Sequence, residues 1–185
     1  VILANLKIFA GSIALTGHVP TQVLHLTHFG DIRNNTSHAL MIASAKLGVH
    51  LCLCGPKELW PEEEFLVKVR EIASLSGGSI TVTDDLDVSV RDADAFYTDV
   101  WLSMGEDPNL WKERIDLLLP YQLNTNLINK GKDTAVVMHP LPSFHNDKTK
   151  VGMEIKEKFD GLTISTYFDI LINSLAILFI FIYLI

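Results

Sequence analysis

From residue 23 onward, short apolar runs alternate with longer stretches in which apolar positions recur every three or four residues. The first pattern marks a buried strand and the second a helix with one face packed. Residues 23 to 29 read as a strand. The segment from about 35 to 47, with Leu40, Ile42, Ala43 and Leu47 as its apolar positions, reads as a helix that Gly48 ends. Residues 49 to 54 form the next expected strand, broken by Gly55-Pro56. The helix after it has Pro61 and three glutamates at its entry, negative charge suited to the positive end of a helix dipole, and stops near Gly77-Gly78. A third strand is expected over residues 79 to 83, a short crossover over 88 to 93 and a fourth strand over 95 to 98. Pro108 then opens a helix holding Leu110, Trp111, Ile115 and Leu118, and residues 134 to 138 make a fifth strand. Strands separated by helical segments predict an α/β fold: a doubly wound parallel sheet flanked by helices, in a single Rossmann-like domain.

In open sheets of this kind ligands bind outside the carboxyl ends of the strands. Three expected strands run into polar, turn-forming segments: Gly30-Asp31-Ile32-Arg33-Asn34-Asn35, Thr98-Asp99-Val100-Trp101-Leu102-Ser103-Met104-Gly105, and His139-Pro140-Leu141-Pro142-Ser143. One shared site is the expectation. The second segment sets a carboxylate and a hydroxyl four residues apart. Asp99 and the Asn35 amide oxygen could accept hydrogen bonds from an ammonium group, whereas a carboxylate ligand needs donors such as the backbone N–H groups at a helix start. Plainer readings stand beside these. Asp99 and Ser103 are residue types that cap helices and turns, Asn34 is expected to start the helix after it, Met104 suits packing, and His139 suits a proline-stiffened turn.

Composition narrows the function. The 185 residues suit one domain, and 15 Lys and Arg against 22 Asp and Glu give a net charge of −7 with no basic stripe, so nucleic acid is not an expected partner. There is no glycine-rich phosphate loop and no Gly-x-Ser-x-Gly turn, and no cofactor is implied. Cys52 and Cys54 would be about 6.6 Å apart on one strand face, awkward for a disulfide, which favours a reducing compartment. His50, Cys52 and Cys54 share that face, yet consecutive same-face positions do not converge on a tetrahedral ion, and no metal is expected. His25 and His28 fall on opposite faces. Residues 1 to 16 lack the basic region and cleavage site of a signal peptide, so a cytoplasmic location is expected. Residues 170 to 185 carry no charge; as a helix they would span about 24 Å, short of a bilayer core of about 30 Å, which makes membrane contact by this tail marginal.

Taken together, the strand-end segments resemble the ornithine carbamoyltransferase family, specifically its second, amino-acid-binding domain, over about residues 15 to 161. Asp31-Ile32-Arg33-Asn34-Asn35 is similar to the family's paired-asparagine loop, and Asp99 to Gly105 to its Asp-x-x-x-Ser-Met-Gly signature. Met138-His139-Pro140-Leu141-Pro142 resembles its His-Cys-Leu-Pro segment, with Pro140 where the family has cysteine. Leu59-Trp60-Pro61 and Tyr121-Gln122-Leu123-Asn124 add family-like context. Leu15-Thr16 and Pro20-Thr21-Gln22 resemble its His-Pro-Thr-Gln region, with Val19 in the histidine position. The resemblance implies transfer of the carbamoyl group of carbamoyl phosphate to the side-chain amine of L-ornithine, giving citrulline and phosphate in arginine metabolism. It further implies that Asn35, Asp99, Ser103 and Met104 hold ornithine, that Asp99 and His139 are catalytic, and that Gln22, Pro140 and Leu141 touch carbamoyl phosphate. The family generally forms trimers and larger assemblies, which leaves a homo-oligomer open.

The departures shape a further expectation. Gln22 lies eight residues before Gly30, so the helix that the family has between these segments is missing, and no Ser-x-Arg-Thr-Arg phosphate motif occurs in the 185 residues. Residues 1 to 22 read as a remnant of a preceding domain and interdomain segment, 23 to 161 as the ornithine-binding domain and 162 to 185 as an apolar tail foreign to the family. That tail fits a shifted reading frame in AT-rich DNA, a membrane anchor or a buried terminal helix. The chain is expected to be a truncated ornithine carbamoyltransferase, inactive alone, that would use carbamoyl phosphate only with a complementary domain. A non-catalytic amino-acid-binding remnant and a carbamoyltransferase with another acceptor amine are the rival readings.

Overall fold

The computed structural model of the chain describes residues 24–103, 105–140 and 150–158. Five parallel strands form one sheet: β1 (His25–Phe29), β2 (His50–Cys54), β3 (Ser79–Thr83), β4 (Ala95–Thr98) and β5 (Val136–Met138), in the spatial order β3-β2-β1-β4-β5. The expected strands are all present. The first two begin one or two residues later than the apolar runs suggest, and β5 loses Thr134 and Ala135 because the Ala135 N–H turns back onto Lys132 instead of joining the ladder.

Helices α1 (Asn35–Leu47) and α2 (Glu63–Ser76) cover one face of β1–β3, and each ends on a left-handed glycine, Gly48 or Gly77. The stripe of α1 that meets the sheet is Ser37, Leu40, Met41, Ser44 and Ala45, an i, i+3, i+4, i+7, i+8 series. Ile42 and Leu47, expected on the packed side, are 39 % and 40 % exposed, because the helix is turned to bring two serines inward in their place. This face is the main core. Leu26, Leu51, Leu53, Leu66, Val69 and Ile80 are all nearly inaccessible in it, each buried aliphatic of this size stabilising the fold by about 1.5–3 kcal/mol.

The opposite face is covered more thinly. The crossover expected after β3 is a single turn, α3 (Leu86–Ser89), begun by the Asp85 carboxylate, which accepts the Asp87 and Val88 N–H groups. Phe29, Phe96 and Val137 pack there with Leu123 and Leu127, the latter on α5 (Thr125–Ile128). Pro108 opens a 3-10 turn, and the α-helix proper, α4 (Trp111–Leu118), starts only at Trp111. With α6 (Lys150–Lys158), α4 builds a third apolar cluster of Leu59, Trp101, Ile115, Leu118 and Ile155 behind the segment that follows β4. Among the described residues no helix is long and apolar enough to cross a membrane. Residues 1–23, the apolar tail over 162–185, and the expected helix within that tail lie outside the described residues.

Candidate functional site at the β1–β4 switch

The order β3-β2-β1-β4-β5 reverses direction between β1 and β4, so the loops leaving these strands part and open a crevice at their carboxyl ends. Register fixes which residues border it. Phe29 pairs with Thr98, so Gly30 and Asp99 leave side by side; Tyr97 pairs with Met138, so His139 leaves one strand further over. At about 4.8 Å per strand the three exits span about 10 Å, the scale of one small molecule.

On the β1 side, Asn34 caps α1. Its Oδ1 accepts the Ser37 N–H at 2.8 Å, which turns its Nδ2 outward to within 3.5 Å of Asp99 Oδ2. Asp99 Oδ1 takes the Val100 N–H at 2.7 Å. Asn35 is the first residue of α1, exposed, with its Oδ1 on the Thr36 N–H. The paired asparagines therefore divide the work: Asn34 builds the corner and Asn35 faces solvent. Beneath them lies His28, fully buried, its Nδ1 3.2 Å from Ser37 Oγ and its ring edge-on to Tyr97. Burial lowers its pKa to about 4, with Asp99 pulling upward and His139 pushing further down, which puts all three groups within electrostatic reach of one another.

On the β4 side the buried polar groups are charged. Arg114, on α4 and 9 % exposed, reaches Asp31 Oδ2 at 3.3 Å with one arm and Glu106 Oε1 at 2.7 Å with the other. Glu106 Oε2 in turn accepts the Ser103 N–H at 2.6 Å, and the Glu106 N–H closes the turn on the Ser103 carbonyl at 3.1 Å. Gly105, at φ +96°, is the residue this turn requires in left-handed backbone. Asp31 Oδ1 accepts the Arg33 N–H. One guanidinium thus ties the loop after β1 to the loop after β4. Burial holds the Asp31 carboxyl above its ordinary value even though Arg33 and Arg114 pull it down, as expected for a desolvated carboxylate whose ion pair is long.

Of the residues singled out in the sequence, Asn35, Asp99, Ser103, His139 and Pro140 leave the sheet at this one edge, His139 Nδ1 lying against the Pro140 carbonyl oxygen. Gln22, Met104 and Leu141 lie outside the described residues. Neither Asp99 nor Ser103 begins the next helical segment; Asp107 does, accepting the Asn109 N–H. Asn34 starts its helix as anticipated. His28, Ser37, Glu106 and Arg114 were not anticipated. Arg114 had a visible signal: it occupies a place in the 111, 114, 115, 118 stripe of α4, where a charge must find a buried partner.

Away from this edge, His25 and His50 stack at 4.9 Å on the thinly covered face, beside a cavity of about 440 Å³ lined by Thr27, Cys52, Ser79 and Thr81 among others. None of the loop residues that border the crevice, 30–35, 99–103 and 139–140, lines it, so it is separate from the crevice. Burial raises both thiols, Cys54 to about 12, so neither is a ready thiolate for a metal. His25 and His28 occupy opposite faces, as the strand period requires.

Comparison with known proteins gives a consistent result. The family model for the aspartate/ornithine carbamoyltransferase Asp/Orn binding domain matches residues 22–178. The chain is 44 % identical over 136 residues to a catabolic ornithine carbamoyltransferase of Treponema denticola, covering 74 % of this chain and 40 % of that one. It is 47 % identical over 137 residues to an ornithine carbamoyltransferase of Staphylococcus aureus strain Newman, covering 74 % and 41 %. The structure of ornithine transcarbamoylase from Giardia lamblia superposes with a TM-score of 0.68 over 94 % of this chain and 54 % of that chain; at 22 % identity this likeness speaks for the fold. The chain therefore spans about two fifths of the length of the curated relatives it matches.

Proposed function

The chain belongs to the aspartate/ornithine carbamoyltransferase family, and on that footing we propose that the crevice between β1 and β4 is an ornithine-binding half-site. The observation that carries this reading is the meeting of Asn34 and Asp99 across the switch point, which presents a carboxylate held from two sides at the mouth of the crevice. A fixed carboxylate is the natural partner of the α-ammonium group. Asn35, exposed at the start of α1, supplies a side-chain amide whose Nδ2 N–H groups suit the α-carboxylate, the Thr36 and Ser37 N–H groups being taken by the Oδ1 atoms of Asn35 and Asn34. The family resemblance assigns Ser103 and Met104 to ornithine as well.

In the reaction, the side-chain amine of ornithine attacks the carbamoyl carbon. A C–N bond forms, the C–O bond to phosphate breaks, and phosphate leaves with the electron pair. The amine must first give up a proton, since an alkylammonium with a pKa of about 10.4 is almost wholly charged at neutral pH. Asp99 and His139 are the two ionisable side chains of the reading that border this edge, and imidazole exchanges protons near neutrality. Phosphate recognition needs clustered cations, and Ser-x-Arg-Thr-Arg does not occur in the 185 residues, so carbamoyl phosphate requires groups supplied by a complementary domain.

Titration calorimetry of the 185-residue chain with L-ornithine tests the reading. Saturable binding, weakened at least tenfold by Asp99→Asn, is expected; wild-type protein with no ornithine binding would overturn the half-site. The same chain mixed with ornithine and carbamoyl phosphate is expected to yield no citrulline.

A further inference from the structure

We propose that His28 is a positioning residue: through Ser37 and Asn34 it fixes the orientation of the Asp99 carboxylate at the mouth of the crevice. The functional weight of this proposal rests on the ornithine-binding reading, but its geometry stands separately.

The Ser37 hydroxyl has three polar neighbours. The Asp31 carbonyl oxygen lies at 2.9 Å, Asn34 Oδ1 at 3.0 Å and His28 Nδ1 at 3.2 Å. A hydroxyl has one proton to give and two lone pairs to offer, and the first two neighbours can only accept. Asn34 Oδ1 is an oxygen because the Ser37 N–H points at it, so the amide cannot be the other way round. Every proton at this junction finds an acceptor when Ser37 donates to one of the two oxygens and His28 Nδ1 carries a proton that it donates to Ser37 Oγ. The alternative tautomer would put the proton on Nε2, which is buried and has no hydrogen-bond partner among the described residues. An orphaned buried N–H is rarer than an under-used acceptor, so the geometry assigns the Nδ1–H form.

The consequence runs outward. With Nδ1–H donating, the Ser37 hydroxyl is turned away from the imidazole and toward Asn34 Oδ1 and the Asp31 carbonyl. Asn34 Oδ1 is held by the Ser37 N–H with the Ser37 hydroxyl 3.0 Å away, its Nδ2 is left pointing at Asp99 Oδ2, and Asp99 Oδ1 is held by Val100. The imidazole stays neutral because it is fully buried, and the ionisable groups that act on it are Asp99 and His139, with Tyr97 packed edge-on at 5.4 Å. A residue two side chains removed from the crevice thereby sets the pose of the group that receives the substrate's ammonium.

Two variants of the full chain separate packing from hydrogen bonding. His28→Phe keeps a ring against Tyr97 and removes both nitrogens; His28→Asn returns an amide close to where Nδ1 stood. Expected results are a three- to tenfold weaker affinity for L-ornithine in His28→Phe, with shifted Asn34 side-chain amide resonances, and recovery to within about twofold in His28→Asn, the range that one net hydrogen bond allows. Unchanged affinity and unchanged Asn34 resonances in His28→Phe would overturn the proposal, as would equal losses in both variants. Should His28→Phe fail to fold, the imidazole nitrogen shifts of the wild-type protein decide directly: a proton on Nδ1 supports the assignment and a proton on Nε2 ends it. A wild-type protein that does not bind ornithine removes the half-site, while the tautomer and the Asn34 resonances still test the orientation.

Discussion

Two polar clusters hold the crevice: a neutral one of imidazole, hydroxyl and amide on the β1 side, and a charged one, a guanidinium between two carboxylates, that joins the loop after β1 to the loop after β4. Both clusters hold a loop in place, and they do so with different liabilities. The neutral cluster loses little when one bond goes, because each net hydrogen bond contributes about 1 kcal/mol. It is exposed to acid instead, since charging the imidazole would put an unpaired cation in the core. The charged cluster gains little over an apolar packing of the same volume, yet removing one member strands a buried charge.

The largest expected effect breaks the charged side. Arg114→Met leaves Asp31 desolvated with only the Arg33 N–H, and a loss of about 3–5 kcal/mol in urea unfolding is expected. A loss below about 1 kcal/mol would mean that the triad is solvated and that the contrast is empty.

Acid sharpens the contrast next. His28 has a folded pKa near 4 against an ordinary 6.5, so the unfolded chain takes up the proton first. Its contribution is intact above pH 6.5 and is lost as the pH falls toward 4, by at most about 1.4 kcal/mol per pH unit. Asp31 answers in the opposite sense. Its raised pKa means that the folded chain is protonated first, so acidification down to the ordinary value of 3.8 favours the fold. His28→Phe should flatten the decline between pH 6.5 and 4; a slope unchanged by the substitution would assign the acid response to other groups. The smallest effect belongs to the helix cap. Asn34→Ala is expected to cost about 1 kcal/mol by thermal unfolding, as an N-cap does, while ornithine affinity falls with it because Asp99 loses its partner. Equal affinity in that variant would uncouple cap from crevice.

Much of the fold could be read from the chain because its cues are local. Gly48 and Gly77 stop their helices where the sequence placed the stops, and the five apolar runs became five strands. Local cues mislead where periodicity is ambiguous: the apolar character of Ile42 and Leu47 points them to the packed side of α1, although Ser37 and Ser44 hold that side. The strand-end segments were legible as a group, because polar turns after apolar runs converge in any parallel sheet. What joins them was not. Arg114 and Asp31 are 83 residues apart, and nothing local to either names the other. His28 sits in a strand too short for one polar residue to break its pattern, and its partner Ser37 becomes apparent only once α1 is turned onto the sheet.

The strand order has one more consequence, at the border far from the crevice. Among the described residues β3 has a neighbouring strand on one side only, and on its other border the Ile80 carbonyl accepts the Arg70 Nε–H at 3.1 Å. A border of β-branched residues left open is a template for a further strand, and here Arg70 interrupts it. Asp84 and Asp85 follow at once, one paired with Lys57 and the other committed to starting α3. Charged residues at the end of a sheet border disfavour a further strand there, and these two are already engaged in holding the turn.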